Sequence, residues 1–335
     1  MTRADVTLQH AAALSTAQIS DVLRLINATA QADGTMPISE HVLLHLRHGG
    51  DDQGQHLLAR DDSGLLVGYA HLDVTDSVQG ASAEILVEPG HRRQGVGRTI
   101  ITALDDLTAG GRLRLWAHGE QPGARELAES LGFRKNRVLW QMRRSLLAAL
   151  PRPVVPAGIA IRSFDPQQDP DAWVQLNAQA FAGHPEQGSW TRTDLDLRMS
   201  EPWFDPTGFL LATQEETGEL VGFHWTKVHG FDPADGHAHA HGDSHGHTHS
   251  QGQSHAHEPI GEVYVVGVRP DYRGSGLGRA LTIVGLEHLR GLGLAQAMLY
   301  VDAGNTRAIR LYEGLGFARW DTDVMYQRQA RTNLR

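Results

Sequence analysis

The sequence predicts an α/β fold built from two copies of one unit, and three features support this. Short apolar runs rich in β-branched residues alternate with stretches of helical periodicity. A strand, a turn with proline, a Gly-x-Gly and a helix follow one another over residues 84–104 and again over 263–286. Downstream, LAESLGF at 127–133 matches LYEGLGF at 311–317. Two matched blocks in the same order indicate a duplicated domain.

The individual elements follow from periodicity and capping. Apolar runs predict buried strands, among them Ile85–Val87, Val263–Val268 and Met298–Val301. Apolar residues at helical spacing predict a helix over Arg279–Leu289. A second helix is expected over Thr306–Leu315, because Asn305 before it is a good N-cap residue.

A proline-rich segment marks the boundary between the two copies. PRPVVPAG, from Pro151 to Gly158, contains three prolines. Proline lacks a backbone donor and disfavours helix in the residue before it. We therefore expect a first domain over 1–150, a linker over 151–157 and a second domain over 158–330.

Composition excludes several classes of protein. The 335 residues carry 30 Lys and Arg against 39 Asp and Glu, and this net charge of −9 argues against a nucleic-acid-binding surface. Cysteine is absent, which excludes disulfides, thiolate metal sites and a cysteine nucleophile. No apolar run approaches the ~18 residues that span a bilayer, and no secretory signal is visible. We expect a cytoplasmic protein without a membrane partner.

The glycine turn of the second copy, Tyr272–Gly278, joins a predicted strand to a predicted helix. A helix start has unpaired N–H groups and a partial positive charge, and glycines let a ligand approach them. Such a turn can hold a phosphate or pyrophosphate. Glycine-rich turns also exist only to reverse the chain, so the motif alone leaves both interpretations open. It lacks the Gly-Lys-Ser/Thr of a Walker loop and the glycine spacing of a dinucleotide fingerprint.

A second motif narrows the choice. V-x-P-x-x-R-x-x-G-x-G over Val268–Gly278 is followed by N-x-x-A-x-x-x-Y-E-x-x-G-F over Asn305–Phe317. The pair resembles the GNAT superfamily of acyl-CoA-dependent N-acetyltransferases. The resemblance covers both copies and implies two tandem GNAT domains, each a mixed, mostly antiparallel sheet flanked by helices. It also implies that acetyl-CoA, as co-substrate, lies between two splayed strands, with no metal required.

The resemblance carries over residue by residue to candidate acetyl-CoA contacts. In the second copy these are Val266, Gly267, Val268, Arg273, Gly274, Ser275, Gly276, Leu277, Gly278, Arg279, Asn305, Thr306, Arg307, Ala308, Ile309 and Arg310. In the first copy they are Ile85, Leu86, Val87, Arg93, Gln94, Gly95, Val96, Gly97 and Arg98. The sequence leaves open whether the first copy binds acetyl-CoA.

The two copies differ in the groups that could move protons. Tyr312 of the second copy aligns with Ala128, and Glu262 aligns with Ala81 when the glycine turns are superimposed. Acetyl transfer to an amine needs a base for the amine and benefits from a proton donor for the departing thiolate. The resemblance implies that Glu262 is the general base and Tyr312 the general acid. We therefore expect catalysis in the second domain and a catalytically degenerate first domain.

Two further strings suggest the acceptor. FAGHPEQGSW at 181–190 and GFHWTKVH at 222–229 are similar to the mycothiol synthase family, which acetylates the cysteinyl amine of Cys-GlcN-Ins in the last step of mycothiol biosynthesis. By this resemblance the acceptor-binding residues are Glu40, Glu186, Lys227 and Tyr300. For Glu40 an alternative is a helix-capping acid after Ser39.

Eight of the twenty histidines lie between His237 and His257, inside a segment over 232–258 that interrupts the second domain before Glu262. Alternating with small residues, they can ligate metal ions or form a tolerated low-complexity insertion. Two alternative functions stay open: a tandem GNAT enzyme acting on another amine, and a CoA- or metal-sensing module with vestigial catalysis. We expect a monomer, because the tandem copies already supply the paired-domain arrangement.

Overall fold

The computed structural model describes residues 6–48, 54–75, 80–119, 121–183, 187–229 and 259–330, apart from the side chains of His48 and Pro122. The segment 232–258 and Glu186 lie outside the described residues. Among the described residues, no helix has the length and hydropathy needed to cross a membrane.

Helices and strands alternate along the chain. In the first half they are β1 (Thr7–Ala11), α1 (Thr16–Asp33), α2 (Glu40–His48), β2 (Gly54–Arg60), β3 (Leu66–Asp73), β4 (Ala81–Val87), α3 (Val96–Leu107), β5 (Leu113–Ala117), α4 (Pro122–Ser130) and β6 (Arg134–Ser145). In the second half they are β7 (Ile159–Ser163), α5 (Pro170–Ala180), α6 (Arg192–Met199), β8 (Phe209–Gln214), β9 (Leu220–His229), β10 (Ile260–Val268), α7 (Leu277–Gly291), β11 (Gln296–Asp302), α8 (Thr306–Glu313) and β12 (Ala318–Arg328).

These elements confirm the predicted strands and helices. The strand predicted at 298–301 is the centre of β11, and the predicted helix over 279–289 lies within α7. The α-helix that starts at Thr306 ends at Glu313, two residues earlier than expected. Asn305 is its N-cap, and the side-chain oxygen accepts a hydrogen bond of 3.1 Å from the N–H of Ala308.

The chain divides into two compact units, and the division between them falls within β6 and within β12. Unit 1 comprises Met1–Trp140, Asp302–Gly304 and Asp321–Arg335, and unit 2 comprises Gln141–Val301 and Asn305–Trp320. Most of β12, at the end of the chain, therefore belongs to unit 1, whereas β6 ends in unit 2. Residues 151–156, within the predicted linker, carry no helix or strand.

Each unit is built on a mixed, mostly antiparallel sheet. In unit 1 the strand order is β1-β2-β3-β4-β5-β12, and in unit 2 it is β11-β10-β9-β8-β7 with the end of β6 next to β11. Within each of these two orders, one pair is parallel, β4 with β5 and β10 with β11. This architecture confirms the predicted fold class.

Helices pack against the sheet of each unit, and the cores that they form with the sheets differ in composition. In unit 1 aliphatic residues dominate, with Ile100 and Leu104 of α3 fully buried. In unit 2 the face toward α5 is aromatic: Phe209 stacks on Trp225 at 4.3 Å, and the buried Trp173 meets both rings edge-on. Aromatic pairs in these geometries gain energy beyond the area they bury.

Candidate active site

Strand β10 separates from its parallel neighbour and leaves an open edge. It pairs with β11 only at Gly261 with Ala297 and at Glu262 with Met298. On its other side it stays paired with β9 as far as Val268. The predicted pantetheine contacts, Val266–Val268, lie on the stretch after the separation. Backbone groups along such an edge can hydrogen-bond to an extended ligand.

A bulge in β10 changes how the two copies correspond. The register with β9 shifts between Val263 and Val265, so that Tyr264 is an extra residue, whereas β3 and β4 pair without a shift. Lys227 therefore faces Glu262 where Asp73 faces Ser82. The alignment of Glu262 with Ala81 was wrong by one residue, because counting back from the glycine turn ignores the bulge. The conclusion is unaffected, since Ser82 is no base either.

The glycine turn of unit 2 exposes the start of α7. Gly276 is the N-cap residue with φ 91°, no side chain caps it among the described residues, and Gly274 has φ 92°. Both glycines occupy the left-handed region that other residues avoid. A Cβ on Gly276 would meet no atom within 4 Å, so the turn is open at this residue, and the N–H of Leu277 donates to Oγ of Ser275 at 3.3 Å. The turn that contains the predicted contacts Arg273–Arg279 thus fits a pyrophosphate.

Several arginine side chains lie near this turn, and they differ in the contacts that they make. Arg273 donates to the carbonyl oxygen of Ala180 at 2.7 Å and so anchors the end of α5. Nη2 of Arg307, in the first turn of α8, lies 3.8 Å from the position of a Cβ on Gly274. Of the predicted contacts in Asn305–Arg310, Ile309 is buried in the core, so only its backbone could meet a ligand.

Tyr312 lies on the same helix, one turn further along. Its ring packs edge-on against Phe317 at 5.8 Å between centroids. Burial raises the pKa of Tyr312 to about 12, so its hydroxyl keeps its proton at neutral pH. A protonated hydroxyl can donate to a developing thiolate.

Three of the predicted site residues share one face of the unit 2 sheet. Lys227 and Glu262 are paired across β9 and β10, and Met298 is paired with Glu262 on the other side. Paired residues point to the same face, and so does Tyr300, two residues beyond Met298. His229, two residues beyond Lys227, joins them and lies 2.6 Å from Glu262, between Nε2 and Oε2.

Aromatic rings hold Lys227 in place. Its Nζ lies 4.4 Å from the ring centroid of Trp203 and 5.4 Å from that of Tyr264. Cation–π contacts of this kind stabilise a buried ammonium. The bulge supplies one of these rings, because Tyr264 and Val265 both contribute to the core that faces α5.

Tyr300 belongs to unit 2, and Glu40 belongs to unit 1. In unit 2 the hydroxyl of Tyr300 accepts a hydrogen bond of 2.8 Å from Nε2 of Gln141, and the residue is 40% exposed. In unit 1 Glu40 is half-buried at the first position of α2. Ser39 supplies a side-chain acceptor to the first turn, with its Oγ 3.4 Å from the backbone nitrogen of Val42.

The corresponding turn of unit 1 is bridged by an ion pair. Strands β4 and β5 also separate, after Glu84 and Trp116, and leave Ile85–Val87 on an open edge. Arg93, in the turn, adopts φ 62° and binds Glu126 of α4 at 2.7 Å. This places the predicted contacts Arg93–Arg98 beside a carboxylate that is paired with Arg93.

Unit 1 contains a buried network of charged side chains that the sequence did not predict. Glu84 accepts hydrogen bonds from the backbone N–H and the hydroxyl of Ser39 at 2.5 and 2.6 Å, and it lies 3.3 Å from Nε2 of His118. The other ring nitrogen of His118 lies 3.2 Å from Asp323. These residues are far apart in sequence and carry no shared motif, so no local signal could have found them.

The network keeps its members charged despite burial. Burial opposes the charge on Glu84, but hydrogen bonds from His118 and Ser39 outweigh it and lower the pKa of Glu84 to about 2. Burial likewise disfavours the imidazolium, but Asp323 and Glu84 raise the pKa of His118 to about 10. Unit 1 therefore retains ionisable groups, but these groups bind each other.

Four histidines of unit 1 form a second cluster, in which His41 contacts the rings of His45 and His71. His45, His56 and His71 are buried and contact one another. Burial, and then the neighbouring His45, lower the pKa values of His56 and His71 to about 4. Within the described ranges, no three His, Asp or Glu side chains are arranged to hold a metal ion.

Comparison with known proteins identifies the family. Residues 171–317 match the acetyltransferase (GNAT) family, and residues 52–135 match the acetyltransferase (GNAT) domain. A mycothiol acetyltransferase of Acidothermus cellulolyticus is 52% identical over 339 residues, covering 98% of this chain and 97% of the relative. One of Streptosporangium roseum is 50% identical and covers 96% and 99%. The chain belongs to the mycothiol acetyltransferase family.

Solved structures agree with this family membership. A GCN5-related N-acetyltransferase from Sphaerobacter thermophilus is 25% identical, has a TM-score of 0.68 and covers 99% of this chain and 98% of its own. A tandem GNAT protein from the clavulanic acid biosynthesis pathway has a TM-score of 0.71, covers 98% and 100%, and at 19% identity supports the fold alone. This member of the mycothiol acetyltransferase family is an acetyl-CoA-dependent N-acetyltransferase with two GNAT domains.

Proposed function

We propose that the chain transfers the acetyl group of acetyl-CoA to the cysteinyl amine of Cys-GlcN-Ins, the last step of mycothiol biosynthesis. The observation that carries the proposal is the common face of Glu262, Lys227 and Tyr300, beside the open edge of β10. A buried ammonium and a phenol are suitable partners for a sugar-rich acceptor. The relatives named mycothiol acetyltransferase, at about half identity over nearly the whole chain, support this choice of acceptor.

The proposed mechanism is direct transfer. Glu262 takes a proton from the acceptor ammonium, and the free amine attacks the thioester carbon, which forms the C–N bond. The C–S bond breaks, Tyr312 donates its proton to the departing thiolate, and the second proton that the nitrogen loses as the amide forms restores the Tyr312 hydroxyl. The raised pKa of Tyr312 supports this role, because the hydroxyl enters the reaction protonated. No covalent enzyme intermediate is needed, in keeping with a chain that has no cysteine.

We further propose that the chemistry belongs to unit 2. In unit 1 Ser82 stands in the place of Glu262, and the Arg93–Glu126 ion pair bridges the turn. The family resemblance adds Glu40 and Glu186 as further candidate acceptor contacts. The proposed enzyme is a cytoplasmic monomer.

Mass spectrometry of the reaction with acetyl-CoA and Cys-GlcN-Ins tests the proposal. We expect a product heavier by one acetyl group whose thiol is still free, because the amine is the acceptor. A thiol dye is unsuitable as the readout, since the acceptor carries its own thiol. If acetyl-CoA binds but no product forms, the acceptor assignment is wrong and other amines must be screened.

The variant Glu262→Gln tests the assigned base. We expect it to lose turnover while it retains acetyl-CoA binding, measured by calorimetry. Turnover equal to that of the unaltered protein would exclude Glu262 as the base.

A further inference from the structure

His229 contacts the proposed base Glu262, and the proposed mechanism does not use its side chain. His229 is the last residue of β9, and its side chain lies on the same sheet face as Glu262. The separation of 2.6 Å between Nε2 and Oε2 is short for a hydrogen bond between nitrogen and oxygen. Hydrogen bonds between a nitrogen donor and an ionised carboxylate are shorter than those between neutral groups.

The chemistry of the two groups defines the direction of this bond. An ionised carboxylate can only accept, so the proton lies on Nε2 of His229. The bond occupies Oε2 of Glu262, and no described residue donates to Oε1. One carboxylate oxygen is therefore held by protein, and the other is available to an acceptor amine.

Burial makes the bond important. The side chain of Glu262 is 9% exposed, against 35% for that of His229. A carboxylate that loses its water shell needs replacement hydrogen bonds, and a rotating carboxylate would present its oxygens poorly to a substrate. A half-exposed imidazole supplies such a bond and keeps its other ring nitrogen available to solvent.

Unit 1 lacks both members of the pair. Ser82 is opposite Asp73 as Glu262 is opposite Lys227, and counting two residues past Asp73, as His229 is two past Lys227, leads to Thr75, which lies beyond the end of β3. Neither Ser82 nor Thr75 can form a carboxylate–imidazole pair. The two residues are thus present together in one unit and missing together in the other, as expected of a functional pair.

We propose that His229 is a positioning residue for Glu262, a role that rests on the proposed function. It donates Nε2–H to Oε2 and thereby orients Oε1 for the acceptor amine. It exchanges no proton with the acceptor and does not contact acetyl-CoA.

Two amide variants distinguish the effect of a correctly placed hydrogen-bond donor from the effect of side-chain volume alone. In His229→Gln the amide nitrogen can occupy the position of Nε2, whereas in His229→Asn it reaches only the position of Nδ1. A lost hydrogen bond to a charged group costs about 1.5–3 kcal/mol, which corresponds to about 10- to 150-fold in rate. We expect kcat to fall by that factor in His229→Ala and His229→Asn and to recover within about threefold in His229→Gln.

Two controls separate positioning from a structural role. KM for acetyl-CoA and for the acceptor should change little in all three variants. His288→Gln, which removes a histidine 3.5 Å from Asp205 elsewhere in unit 2, should leave kcat unchanged. In the Glu262→Gln background, His229→Ala should cause no further loss, because residues that act through one another are not additive.

The outcomes are distinguishable. If the unaltered protein does not acetylate Cys-GlcN-Ins, the proposed function is wrong. If it does, equal kcat in His229→Gln and His229→Ala overturns the positioning role, and so does an additive loss in the double variant. Thermal unfolding of each variant identifies any loss that comes from the fold, and His229→Gln then decides the question, since it preserves the side-chain volume best.

Discussion

Units 1 and 2 share a framework and differ in where their charged groups are used. Arg92 and Arg273 occupy equivalent positions before the glycine turn and anchor the ends of α1 and α5, through Asp33 and the carbonyl of Ala180. The packing of the turn has thus been retained in both units.

The side chains around the turn have diverged. Arg310 of unit 2 corresponds to Glu126 of unit 1, which neutralises its own turn through Arg93. Tyr312 corresponds to Ala128, which is buried in the core. The difference teaches that packing can maintain a fold element while the polar side chains around it differ, because the core needs its shape whether or not a ligand binds.

The carboxylates of the two units show the same contrast. Glu84 receives hydrogen bonds at both oxygens and pairs with a buried imidazole. Glu262 has one oxygen held by a half-exposed imidazole. A carboxylate surrounded by partners stabilises the structure, whereas one that is partly open can exchange a proton with a substrate.

The largest effect should follow from one substitution made in each unit. Glu262→Gln removes the proposed base, and we expect kcat to fall about 10²- to 10⁴-fold with little change in stability. Ser82→Ala, at the equivalent position of unit 1, should leave kcat unchanged. Steady-state kinetics of both variants test this contrast. A lower kcat in Ser82→Ala would contradict it.

Glu84→Gln should instead act on stability. Removing one member of a buried charged pair costs about 3–5 kcal/mol, because the remaining charge stays buried without its partner. We expect the urea midpoint to fall well below that of Glu262→Gln. If the two variants unfold at the same urea concentration, Glu84 is not the structural counterpart that the comparison requires.

The stability of unit 1 should be greatest near pH 6.5. His118, with its pKa raised to about 10, stabilises fully below 6.5 and loses this contribution as pH rises toward 10. His56 and His71, with pKa values lowered to about 4, stabilise fully above 6.5 and lose this contribution as pH falls toward 4. Glu84 adds a loss between 4.5 and about 2.

Thermal unfolding across pH 4–10 measures this profile. His118→Gln should flatten its alkaline side and leave the acid side in place. His229→Gln, in unit 2, serves as the control and should leave both sides unchanged. An alkaline loss of equal size in His118→Gln would contradict the assignment.

The smallest expected effect concerns the glycine turns. Alanine at Gly276 or at Gly95 must adopt a positive φ, which costs about 1–2 kcal/mol. Gly293, with φ 82° at the opposite end of α7, is the matched control. We expect similar losses of stability in all three variants, but a raised KM for acetyl-CoA only in Gly276→Ala. A raised KM in Gly95→Ala would show that unit 1 participates in turnover.

The amino-acid sequence by itself determined the local parts of this protein. The duplicated strand, glycine turn and helix were readable because each depends on residues within a few positions of one another. The cap at Asn305 and the positive φ of Gly276 are of the same kind. The family resemblance rested on these segments, so the fold class and the acetyltransferase assignment needed no coordinates.

Tertiary structure alone decided the parts that depend on register and on distant contacts. Because of the bulge at Tyr264, the residue of unit 1 that corresponds to Glu262 is Ser82 and not Ala81. The bond from His229 to Glu262 joins residues on two neighbouring strands, and the network around His118 includes Asp323 from the last strand. Strand register and long-range pairing are determined by how whole sheets pack, and no local pattern encodes that balance of energies.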